Sequence, residues 1–130
     1  MNLVLKSLVA SLGLILSPGP VLAHHSFDAE YDRTKTVVMK GTVTKLEWKN
    51  PHTRFYLDVK DDTGRVTNWN MELASPNQLV RAGWTRHSLN VGDQITVTAS
   101  LARDGSKMAN ARTIILADGK QVLGRSSAGP

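Results

Sequence analysis

No cysteine occurs among the 130 residues. That excludes disulfides, thiolate nucleophiles, cysteine-type zinc sites and iron–sulfur clusters, and it leaves packing alone to hold the fold. Long apolar runs are also missing beyond Leu8–Leu16, which is shorter than the roughly 18 residues a membrane span needs. Blocks of one charge are absent: 16 basic and 11 acidic side chains are interspersed, for a formal net charge of +5. Such a diffuse surplus favours weak association with anionic surfaces and specifies no partner. There is no phosphate-binding glycine loop, no His-Glu-x-x-His segment, no Ser/His/Asp set in recognisable surroundings and no internal repeat. Nucleophilic catalysis has no support in these residues.

The amino-terminal region reads as an export signal. Lys6 supplies positive charge, Leu8–Leu16 an apolar core, Ser17-Pro18-Gly19-Pro20 a helix break, and Val21 and Ala23 the small residues read by signal peptidase. Residues 1–23 are therefore expected to be removed. Periplasmic or secreted localisation in a bacterium follows, with no transmembrane segment after processing. The expected remainder is an extended arm over 24–35, pinned by Phe27 and Tyr31, a β domain over 36–123, and a disordered Ser/Gly-rich tail over 124–130.

Strand periodicity dominates from Thr36. Val37, Met39 and Val43 share one face, and the apolar positions then change phase to Leu46 and Trp48. Side chains alternate strictly along a strand, so the slip predicts a bulge or bend near Gly41–Lys45. Phe55, Leu57 and Val59 mark a second strand, Asp61-Asp62-Thr63-Gly64 a hairpin turn, and Trp69, Met71 and Leu73 a third strand. Ser75 with Gln78 forms a capping-box pair around Pro76, predicting a short helix ended by Gly83. Ile95–Leu101 and Ala111–Leu116 read as a fourth and fifth strand, with a short final one at 121–123. A long bent strand, two strands, a helix and two strands match an all-β, OB-like five-stranded Greek-key barrel; a small β-sandwich is the alternative.

His24-His25-Ser26-Phe27, Asn50-Pro51-His52, Trp69 with Glu72, Ser75-Pro76-Asn77, Gly83-Trp84 and Gly92-Asp93 together carry a resemblance. The chain resembles the small exported bacterial proteins of the domain-of-unknown-function family numbered 6152, from the end of the signal to about Leu123. The resemblance implies an exported barrel-like β domain without an established activity or ligand. His24, His25 and His52 are the histidines that match its typical features, and His87 does not.

Two candidate sites emerge. If the chain is cut before His24, that residue offers a metal its α-amine and ring together, and His25 or His52 adds a further nitrogen. This set suits copper or a similar divalent ion. The ordinary alternative is a polar chain start with His52 hydrogen-bonded in a turn. The second candidate is the polar face of the third strand, where Glu72 and Asn70, with Tyr56 on the second strand, form a ligand-binding patch; otherwise Glu72 pairs with Arg54 or Arg81. Core packing explains at least two of Trp48, Trp69 and Trp84. One ring beside Asp58, Asn68, Asn70 and Glu72 makes a poor platform for single strands, which argues against nucleic acid. The leading expectation is a non-enzymatic exported protein binding copper or another divalent metal through its N-terminal histidines. The alternative is an envelope interaction module for a protein, peptide or glycan, and a copper-dependent oxidase ranks third.

Overall fold

The computed structural model describes residues 21–122, the side chains of 21–25 excepted. The expected signal therefore lies almost wholly outside the described residues, as does the tail. Among the described residues no helix is long and apolar enough to cross a membrane. The elements are α1 (Val21–Glu30), β1 (Tyr31–Glu47), β2 (Arg54–Lys60), β3 (Val66–Glu72), α2 (Pro76–Arg81), β4 (Gln94–Ala102), β5 (Met108–Leu116) and β6 (Gln121–Val122).

β1 organises the barrel because it serves two neighbours. Its first half pairs antiparallel with β4, from Thr36↔Ser100 to Thr42↔Gln94, and its second half pairs with β2, from Gly41↔Val59 to Glu47↔Arg54. Gly41 stands in both ladders. The register slips between Val43 and Lys45, where the change of hydrophobic phase places it. β2 pairs with β3, β3 with β5 in parallel, and β5 with β4, closing a ring of five. β6 adds a short strand to the free side of β5. The fold is the all-β, OB-like barrel, with α2 between β3 and β4.

Inward alternation fills the ring. Phe55, Leu57, Met71, Val97, Ala99, Ala109, Ala111 and Ile114 are wholly buried, and burial of each larger side chain stabilises by roughly 1.5–3 kcal/mol. α2 plugs one end. Ser75 caps it through the expected box with Gln78. Gly83 ends it at φ 91°, where its N–H donates to the Val80 carbonyl and that of Trp84 to the Leu79 carbonyl. This Schellman turn folds Trp84 back beside fully buried Leu79. Trp48 and Trp69 pack against the same core.

The expected extended arm needs correction. Residues through Glu30 are helical, and β1 begins at Tyr31, five residues before Thr36. The two aromatics do pin this segment. Phe27 at the end of α1 and Tyr31 at the start of β1 meet as tilted rings with centroids 5.4 Å apart and bury with Ala102 in a cluster outside the main core. Arg103 completes the dock by satisfying carbonyls at the end of α1, its backbone N–H donating to Glu30 and its Nε to Asp28.

Candidate functional site

A single polar row runs across four strands on the outer side of the ring. Arg54 is opposite Glu72, Glu72 opposite Asn110, and Asn110 opposite Ser100. Their chain neighbours Phe55, Met71, Ala109 and Ala99 fill the core, so alternation points the row away from it. It is nonetheless hidden: Glu72 is 2% exposed, and Asn110 and Ser100 are fully buried. Tyr31, carried over the row by the α1–β1 segment, provides the cover.

A buried carboxylate is tolerated only when its charge is paired and its oxygens are hydrogen-bonded. Glu72 meets both conditions. Its Oε2 accepts from Arg54 Nη2 at 2.6 Å and from the Tyr31 hydroxyl at 3.0 Å, and its Oε1 accepts from Asn110 Nδ2 at 3.3 Å. Arg54 Nη1 also donates to Asn70 Oδ1 at 3.2 Å, which fixes the guanidinium on a second side.

Burial, reinforced by the Glu72 charge and the hydrogen bond to it, pushes the Tyr31 phenol well above its ordinary value, so it remains a donor. The folded chain thus holds this proton more tightly than the unfolded chain. The resulting stability is complete below the ordinary tyrosine value near 10 and is lost as pH rises toward the raised folded value, at about 1.4 kcal/mol per pH unit. Urea denaturation should show the protein losing stability above pH 10 faster than Tyr31→Phe does. Parallel curves for the two would contradict a buried phenol donor.

Beyond this row lies a cleft of about 540 Å³ open to solvent. It is lined by Glu30 and Tyr31 from the α1–β1 junction, by Arg54 of β2, and by Arg103, Asp104 and Met108 at the β4–β5 connection. Its volume is in the range of small-ligand pockets.

The sequence-predicted residues divide among these surroundings. Asn70 and Glu72 are brought together by Arg54, one of the two partners expected in the ordinary reading of Glu72. Glu72, expected on an open polar face, is too buried to touch a ligand and acts by holding Arg54 and Tyr31. Tyr56 is opposite Asn70 in register, yet its hydroxyl donates to Glu47 Oε2 at 3.3 Å and Lys45 Nζ lies 5.0 Å from its ring centroid. It does not line the cleft. The Lys45 ammonium, 2.7 Å away, holds the Glu47 carboxyl below the usual range.

His52 follows the cis Asn50–Pro51 peptide and is half-buried, its Nδ1 enclosed without a protein hydrogen-bond partner. The side chains of His24 and His25 lie outside the described residues. Among the described residues no group of three His, Cys, Asp or Glu is placed to hold a metal ion.

Sequence reasoning missed Tyr31, Asn110 and Arg103 as parts of this region. Only Tyr31 carried a signal, its four-residue spacing from Phe27. Asn110 was hidden because β5 starts at Met108, three residues before its apolar pattern becomes visible.

Fold and site together define a closed OB-like barrel with one outer face roofed by its own amino-terminal segment and a cleft at the roof's edge. The model of a family described as a family of unknown function (DUF6152) matches residues 13–111, and the chain belongs to that family. The match spans the polar row and every residue named in the cleft. No curated protein and no solved structure matches the chain.

Proposed function

We propose that this protein is a non-enzymatic binding module, exported to the bacterial envelope, that seats a short stretch of a protein or peptide partner in the cleft. The observation that carries this reading is Arg54: it lines a cavity of about 540 Å³ while Glu72 and Asn70 hold its guanidinium from behind. A guanidinium has five N–H donors, so two such bonds leave others for a ligand, and an arginine already fixed loses little freedom on binding. Apolar surface from Ala29, Ala102 and Met108 completes the seat. The copper reading rests on His24 and His25, outside the described side chains, and the cleft is the better-supported seat.

Selection of a displayed random heptapeptide library on the protein tests this reading. Enriched peptides should lose binding to Met108→Trp, which fills the cleft, and keep it to Tyr56→Ala, which lies off it. Enrichment indifferent to Met108→Trp, or none at all, would remove the cleft from consideration.

A further inference from the structure

Resting on that reading of the cleft, we infer that the partner presents a cationic side chain, lysine or arginine, to it. The inference follows from which charges are already paired. Both arginines of the cleft have carboxylate partners: Arg54 is 2.6 Å from Glu72, and Arg103 Nη1 is 3.7 Å from Asp32. Arg103 is also committed through Nε to the Asp28 carbonyl at 2.7 Å. Asp28, the remaining acid of α1 beside this region, is paired with Arg33 at 2.6 Å.

Glu30 and Asp104, which both line the cleft, have no ion-pair partner among the described residues. Both are exposed, and what Asp104 has close by is neutral: its Oδ1 accepts the backbone N–H of Ser106 at 2.9 Å, and the Ser106 hydroxyl also acts on the carboxylate. The uncompensated charge of the cleft is therefore negative, although the chain as a whole carries +5. An anionic ligand would meet these two carboxylates, and among the described residues no unpaired cation lines the cleft to offset them. An ammonium or guanidinium in the cleft is attracted to both, and its methylene stem has Ala29, Ala102 and Met108 to lie against. The unused N–H groups of Arg54 then face the carbonyl oxygens of the flanking peptide backbone, a neutral acceptor suited to an arginine whose charge is already balanced.

The test uses the full chain, ¹⁵N-labelled, titrated with blocked alanine pentapeptides carrying a central lysine, norleucine or glutamate. The lysine peptide should bind tightest and shift the amides of Glu30, Asp104 and Met108, and added salt should weaken it. Glu30→Gln and Asp104→Asn should each weaken lysine-peptide binding about two- to fivefold, the range for partly exposed ion pairs. Asp118→Asn, on the β5–β6 turn, should leave it unchanged. Norleucine or glutamate binding as tightly at the same amides would overturn the cationic preference while leaving the cleft as the seat. Absence of any shift at those amides with all three peptides would overturn both.

Discussion

Replacing Gly41 with alanine is expected to lower the melting temperature by roughly 15 °C, from a destabilisation of about 3 kcal/mol. A Cβ at this position would sit 2.2 Å from the Asp58 carbonyl oxygen and 3.0 Å from both Asp58 C and Leu57 Cγ. The nearest obstacle is backbone, so no side-chain rotation relieves it. β2 cannot retreat without opening the β1–β2 ladder, and β1 cannot move the other way because Gly41 is also paired with Ile95 of β4. The ring closes through this residue, and the strain has no free side to relax into. Gly119→Ala is the useful contrast: its φ of 82° disfavours alanine, but nothing lies within 4 Å of the added carbon, so the cost is about 1–2 kcal/mol. Thermal denaturation followed by circular dichroism would compare the two. Equal losses would show that β1 and β2 do not approach as closely at Gly41 as the ladder requires.

Gly41 also shows what could be read in advance. The phase change between Val43 and Leu46 announced a bend, and the alternation of Phe55, Leu57 and Val59 and of Ile95, Val97 and Ala99 announced strands with one buried face. These are local signals, set by neighbours two residues apart, and the barrel was legible because it is built almost wholly from them. The site was not. Alternation places Glu72 on a polar face, and it is on one; only the arrival of Tyr31, 41 residues earlier in the chain, turns that face into an interior. No periodicity marks α1, whose position depends on Phe27, Tyr31 and the Arg103 contacts rather than on an apolar stripe. Asn110 enters through the parallel β3–β5 pairing, a crossover that strand patterns alone do not reveal.

Glu72→Leu is expected to cost about 3 kcal/mol, chiefly by what it leaves behind rather than by what it removes. The Tyr31 hydroxyl, in a residue 1% exposed, loses its acceptor, and Arg54, with its side chain 22% exposed, loses its counter-charge. Removing the stranded groups as well should therefore restore stability. The triple variant Tyr31→Phe, Arg54→Leu, Glu72→Leu should recover much of the loss, because the replaced part of the row carries no desolvation penalty, while buried Asn110 still loses the Glu72 oxygen it donated to. Urea titrations at pH 7 of the single, double and triple variants would give the coupling energies directly. The same series separates folding from the proposed function: the triple variant should fold and keep α1 docked through Phe27 and Arg103, and, on the proposed reading of the cleft, lose peptide binding because Arg54 is gone from it. If the triple variant proved as unstable as Glu72→Leu alone, the carboxylate would be contributing net stability to the barrel itself. In that case the row would be a structural staple of β2, β3 and β5, and the fixed guanidinium a by-product of it.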